Sequence, residues 1–175
     1  MGVFKKLVII VSAIIIIFVL VGFALPSAYK VERSIVINAP ASKIYQHIVD
    51  LKAWQQWGVW YQRDPDMQIT YSGSTAQIGM TSTWLSATQG NGEMQIIGLE
   101  DDHRLIYSLT FTDMGMTSTG EFVLTPQDNA TLVTWMDYGH VGINPINHYF
   151  VLFMDRFIGP DFEMGLENLK MVVEG

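Results

Sequence analysis

Asp137, His140 and Tyr107 are the side chains in this 175-residue chain whose types and placement could carry proton-transfer chemistry. Asp137 falls on the same side of an alternating run as Val133 and Trp135, the side that period-2 geometry turns inward. A carboxylate on an apolar face needs a partner or a raised pKa. The alternative is that Asp137 lies at the open end of its strand, where alternation relaxes before Gly139. His140 leads into the last helical segment, and Tyr107 belongs to the run Leu105, Tyr107, Leu109, Phe111. General acid/base catalysis would require two of these three within hydrogen-bond reach of each other or of a shared substrate. Other chemistry has less support. The chain has no cysteine, and it contains neither a G-x-S-x-G nucleophile elbow nor an H-E-x-x-H metal signature. The sequence therefore implies no metal and no cofactor.

A larger set of residues has the chemistry of an apolar binding wall. The chain carries ten methionines and five tryptophans, and thioether and aromatic side chains suit an adaptable hydrophobic cavity. Alternation directs Trp84, Met94, Tyr107, Phe111, Phe122 and Trp135 inward, and Tyr71 closes the run Met67, Ile69, Tyr71. Tyr149 and Phe153 fall on the apolar stripe of the last helical segment. Trp54, Trp57 and Trp60 recur at a spacing of three, which places them along one helical face, either plugging one end of a core or gating a cavity. The expected ligand-binding set is thus Trp57, Trp60, Tyr71, Trp84, Met94, Tyr107, Phe111, Phe122, Trp135, Tyr149 and Phe153.

The elements that must position these residues follow from pattern. Lys30–Asn38 ends in a β-branched run and reads as a strand, which Ala39-Pro40 stops. Ile44, Ile48 and Leu51 have helical spacing over 41–51, and a short second helix with a loop carries the tryptophans. From Met67 to Trp135 about six strands alternate, with Asn91-Gly92 expected to supply a hairpin turn and Gln127-Asp128-Asn129 another. Helical spacing returns after Asn144-Pro145, with Gly159-Pro160 expected to break or kink it before Phe162, Leu166, Leu169 and Val173 resume the stripe.

Ahead of all this lies a different kind of segment. Leu7–Leu25 is a run of nineteen uncharged, mostly apolar residues behind Lys5-Lys6, and as a helix it spans about 28 Å, close to the hydrocarbon thickness of a bilayer. A cleaved signal peptide is the competing reading, but its apolar region would be shorter, and the small-residue cleavage sites near Ala24 and Ala28 are poor. The expected organisation is 1–6 in the cytoplasm, 7–25 as a single-pass anchor in the inner membrane, and 26–175 as an extracytoplasmic (periplasmic) domain. Beyond Lys6 the chain has eight basic against seventeen acidic side chains, net −9. That charge argues against nucleic acid as a partner.

Three stretches resemble the START-like (Bet v 1-like) superfamily, and within it the polyketide cyclase/dehydrase and lipid transport type. The first runs from the strand before Asn38-Ala39-Pro40 to Asp50 and Trp54–Trp60. The second joins Asp64-Pro65, Tyr71-Ser72-Gly73, Gly79, Trp84 and Gly92. The third is Thr131–Trp135 before the closing helix with Gly159-Pro160-Asp161-Phe162 and Gly165-Leu166. The resemblance implies an α+β helix-grip domain, a curved antiparallel sheet of six to seven strands around a long C-terminal helix, with a cavity for a lipid or other hydrophobic small molecule. It implies no reaction. The expectation is a membrane-anchored, non-catalytic binder. The alternatives are a cyclase, dehydratase or hydrolase acting on a similar ligand, and a protein-interaction or chaperone-like accessory domain. Oligomeric state is not fixed by the sequence.

Overall fold

The computed structural model describes residues 2–113 and 115–175. Helix α1 (Val3–Ala24) is a 22-residue apolar rod about 33 Å long. It stops at Leu25, which is held extended (φ −78°, ψ 153°) because a residue before proline is pushed out of the helical region. Strand β1 (Ala28–Ile37) follows, then α2 (Ala41–Val49), a 3₁₀ turn (Ala53–Gln56) and α3 (Val59–Arg63). Six more strands come in sequence: β2 (Gln68–Ser72), β3 (Thr81–Leu85), β4 (Gly92–Glu100), β5 (Arg104–Phe111), β6 (Met116–Gln127) and β7 (Ala130–His140). Helices α4 (Pro145–Val151) and α5 (Met154–Glu174) close the chain.

The seven strands form one antiparallel sheet in the order β1-β7-β6-β5-β4-β3-β2. Strands β2 to β7 are sequential neighbours, whereas β1 pairs with β7, so the first and last strands meet. Helix α5 lies against β1 and β7. Its C-terminal half is fully engaged: Phe162, Leu166, Leu169 and Val173 are buried against Ile37, Ile44, Ile48, Leu124 and Val133. Its N-terminal half is not, and Phe157 remains 65% exposed. The domain is therefore packed solid at one end of the sheet and open at the other. This is the helix-grip architecture anticipated from the sequence.

Three local expectations are corrected. The final helical segment is interrupted at Leu152–Phe153, between α4 and α5, and not at Gly159-Pro160. Proline in a helix interior forfeits one backbone bond, but here Arg33 of β1 lies across the helix at Gly159, where a Cβ would overlap its guanidinium. Arg33 donates to Asp155 (2.7 Å) on one side of Pro160 and to Glu163 (2.6 Å) on the other, which ties the helix to the sheet across the proline. The β3–β4 connection takes its left-handed residue at Gly90 (φ 77°), not at Asn91-Gly92. Gly92 already belongs to β4 opposite Trp84, and a Cβ there would overlap the indole. Helix α2 ends at Val49, short of Leu51.

Candidate functional site: an apolar cavity with a buried carboxylate

The open end of the grip encloses a cavity of about 980 Å³, at the upper end of the range of small-molecule sites. One wall is the concave sheet face: Trp84 from β3, Met94 from β4, Tyr107, Leu109 and Phe111 from β5, and Met116 from β6. The facing wall is Met154, Phe157, Ile158 and Phe162 of α5, with Phe150 of α4 at the rim and Trp54, Trp60 and Tyr61 at the inner end. The sheet wall follows from alternation. Met94, Tyr107, Leu109 and Phe111 sit at successive inward positions of paired strands, Met94 opposite Leu109.

The most buried charged side chain of the lining is a carboxylate. Asp137 is 3% exposed and still lines the cavity. Its Oδ1 accepts from the Tyr29 hydroxyl at 3.0 Å and its Oδ2 from the Ser118 hydroxyl at 2.8 Å. Burial pushes the carboxyl up to about 6, against the two hydrogen bonds, which favour the ionised form. The same burial, with Asp137 beside it, pushes the Tyr29 phenol well above its ordinary value. A second lining carboxylate, Asp161, is neutralised by a two-pronged ion pair with Arg63 of α3.

The expected binding residues divide into two groups. Trp60, Trp84, Met94, Tyr107 and Phe111 line the cavity. Trp57, Tyr71, Phe122, Trp135, Tyr149 and Phe153 lie outside it, each for a definite reason. Trp135 is 0% exposed, with its ring stacked on Phe162 at 4.0 Å and on Phe122 at 4.7 Å, and edge-on to Trp54, Trp57 and Trp60. Its Nε1 donates to the Tyr107 hydroxyl at 2.8 Å. Trp135 is thus the centre of the packed core. Alternation turned it inward correctly, but core and cavity share that face and period alone does not separate them. Trp57 and Phe122 belong to the same cluster, with the Trp57 indole N–H donating to the His47 carbonyl at 3.1 Å. Tyr71, on edge strand β2, accepts from Gln55 at 2.7 Å. Tyr149 turns toward α1, and Phe153 sits in the α4–α5 break, 48% exposed.

Of the proton-transfer candidates, Asp137, Tyr107 and His140 all border the cavity. Among the described residues no hydrogen bond joins any two of them. The Tyr107 hydroxyl accepts from Trp135, and burial raises its pKa far above the ordinary phenol value. His140 sits exposed at the rim. Residues that pattern reading missed include Tyr29 and Ser118, the partners of Asp137. One signal was available: Gly139 of β7 pairs with both Tyr29 and Ser118, and a side chain there would crowd the Tyr29 ring. Leu109, Met116, Met154 and Phe157 also line the wall.

A seven-stranded antiparallel grip around a long C-terminal helix, with an apolar cavity between them, defines a Bet v 1-like domain. Residues 28–174 match the polyketide cyclase/dehydrase and lipid transport family, and the chain belongs to that family. Similar solved structures include a protein of Thermobifida fusca (16% identity over 82% of this chain and 92% of that one, TM-score 0.63). A protein of unknown function from Staphylococcus aureus is similar as well (11% identity, 84% and 94% covered, TM-score 0.64). So is the di-domain ARO/CYC StfQ of the steffimycin biosynthetic pathway (11% identity, 84% of this chain and 51% of that one, TM-score 0.62). At these identities the likeness is one of fold. No curated protein matches the chain by sequence.

Proposed function

We propose that this protein is a membrane-anchored binder of one hydrophobic small molecule or lipid per chain, held in the cavity between the sheet and α5. The observation that carries this reading is the cavity itself. Its volume of about 980 Å³ is bordered by Met94, Leu109, Phe111, Met116, Met154 and Phe157, surface that a folded domain would otherwise collapse to bury. The buried Asp137 carboxylate, with its Tyr29 and Ser118 donors, gives an amphipathic ligand a polar point of orientation.

Anchoring through residues 7–25 is part of the same proposal. Helix α1 is long and apolar enough to cross a bilayer, and the domain provides a seat for it. The ring of Phe18 stacks on Tyr149 at 4.3 Å, and Gly22 packs against Pro145 so closely that a Cβ would meet its carbonyl oxygen at 2.6 Å. A leader destined for removal has no use for such a fit. The charge pattern around α1 supports a cytoplasmic N-terminus and a translocated domain.

A catalytic reading draws on one observation, the raised pKa of Asp137 in the cavity wall. Its bonded partners among the described residues are the hydroxyls of Ser118 and of Tyr29, whose phenol is raised far from neutrality, so the binding reading is preferred. The test places two indoles across the cavity, Leu109→Trp on β5 and Met154→Trp on α5. Native mass spectrometry of the full chain, released from detergent, should show wild type carrying one bound hydrophobic molecule. The doubly substituted chain should carry it at least about tenfold less, a change equivalent to roughly 1.4 kcal/mol. Equal occupancy in the two proteins would refute binding in this cavity.

A further inference from the structure

The contacts between α1 and α4 fix where the cavity mouth lies relative to the apolar helix. Pro145 of α4 sits at Gly22, and four residues later the Tyr149 hydroxyl donates to the Phe18 carbonyl at 2.7 Å. His148 lies between, its Nδ1 2.8 Å from the Gly22 carbonyl oxygen. As α4 advances, its partner residues on α1 run backward, so the two helices are antiparallel. Phe18 precedes the end of α1 by six residues, or about 9 Å along the axis. If α1 spans the bilayer, the far end of α4 therefore descends about that distance below the point where the anchor emerges.

The side chains at that depth are apolar and uncovered. Phe150 is 55% exposed, Leu152 55% and Phe153 48%, with Ile146 (51%) on the same short helix and Phe157 (65%) one turn into α5. The nearby charges do not oppose burial of this tip. Asp155 is paired with Arg33, and Arg156 has a long aliphatic stem that can carry its charge to the headgroups. Phe150, Met154 and Phe157 also rim the cavity.

From this juxtaposition we infer that α4 and the α4–α5 junction are embedded in the leaflet from which α1 emerges, so that the cavity opens into the hydrocarbon and exchanges its ligand sideways with the membrane. The inference rests on the anchoring reading and deepens it: the ligand is a molecule dissolved in that leaflet, and its path avoids water. The domain beyond Lys6 has net charge −9, so docking is driven by apolar burial and needs no anionic lipid.

The absence of cysteine makes spin labelling of single introduced cysteines direct. The full chain is reconstituted in phosphatidylcholine vesicles with labels at Ile15→Cys in α1, Leu152→Cys at the tip, Phe157→Cys at the rim and Gln127→Cys at the distant β6–β7 turn. Relaxation by oxygen, which concentrates in lipid, is compared with relaxation by a water-soluble nickel chelate. Circular dichroism confirms that each labelled chain is folded. The expected result is oxygen-dominated relaxation at Ile15, Leu152 and Phe157, insensitive to salt, and nickel-dominated relaxation at Gln127. Nickel-dominated relaxation at Leu152 or Phe157 with Ile15 in lipid overturns the docking and leaves the anchor standing. A label at Ile15 that reports water overturns both.

Discussion

Trp135→Ala is expected to bring the domain close to unfolding. Trp135 is 0% exposed and has aromatic rings on several sides, with Phe122 and Phe162 stacked on its two faces. Truncating such a residue typically costs about 3–5 kcal/mol, against a total stability of about 5–15 kcal/mol for a natural domain. The substitution also strips the buried Tyr107 hydroxyl of the Trp135 indole N–H that donates to it, which adds to the loss. Trp135→Phe should retain much of the stacking and forfeit chiefly that hydrogen bond, so it should fall between wild type and alanine. Denaturant unfolding of the three proteins decides the matter. A Trp135→Ala midpoint near that of wild type would mean that Trp135 borders open space, as inward alternation alone had suggested.

A second large effect should appear with pH. Asp137 has a folded-state pKa of about 6 against an ordinary value of 3.8. A carboxyl raised in this way stabilises the folded state fully below its unfolded pKa, and that contribution is lost as pH rises through the folded value. Between pH 4 and pH 7 this group alone should reduce stability by about 2 kcal/mol. Asp137→Asn should abolish that part of the pH dependence, since the amide stays neutral, its oxygen accepting from one of the Tyr29 and Ser118 hydroxyls and its NH2 donating to the other, which reorients to accept. The difference between the two unfolding profiles isolates Asp137 from Asp64 and Asp155, whose pKa values are lowered by their own hydrogen bonds. Filling the cavity with an apolar ligand removes further water from Asp137, so binding should take up a proton and tighten as pH falls. An Asn variant with unchanged pH dependence would place the titration elsewhere.

The fold was largely legible because its signals are local. Period-2 runs, the Pro40 and Pro145 helix starts and the Asp128-Asn129 turn each depend on a few adjacent residues. The element boundaries that shifted did so through contacts from afar. Arg33, more than a hundred residues away, holds α5 together across Pro160, and the Trp84 indole claims the space at Gly92. The site was half legible. Alternation names the inner face of a strand correctly, yet on β7 the same face holds Val133 and Trp135 in the core and Asp137 at the cavity. The transition between the two depends on where α5 ceases to press on the sheet, which no stretch of β7 encodes. The link between Tyr29 and Asp137 crosses 108 positions and rests on β1 pairing with β7. The seat of α1 on Phe18, Gly22, Pro145 and Tyr149 was equally invisible, because Gly22 and Pro145 read singly as ordinary helix-end residues.

If the proposal holds, the cavity, and not merely the apolar surface of the chain, contains a hydrophobic molecule. Photolabelling tests it most directly. The full chain in phosphatidylcholine vesicles is irradiated with a diazirine-bearing acyl lipid, and the adducts are mapped by peptide mass spectrometry. Contact with the bilayer alone labels α1 and the α4 tip, whereas occupancy of the cavity places adducts on the inner wall, at Met94, Leu109, Phe111 and Met116. Those inner-wall adducts are the expected result, as is their loss when Leu109→Trp and Met154→Trp are combined. Adducts confined to α1 and α4, with the sheet wall unlabelled, would contradict it.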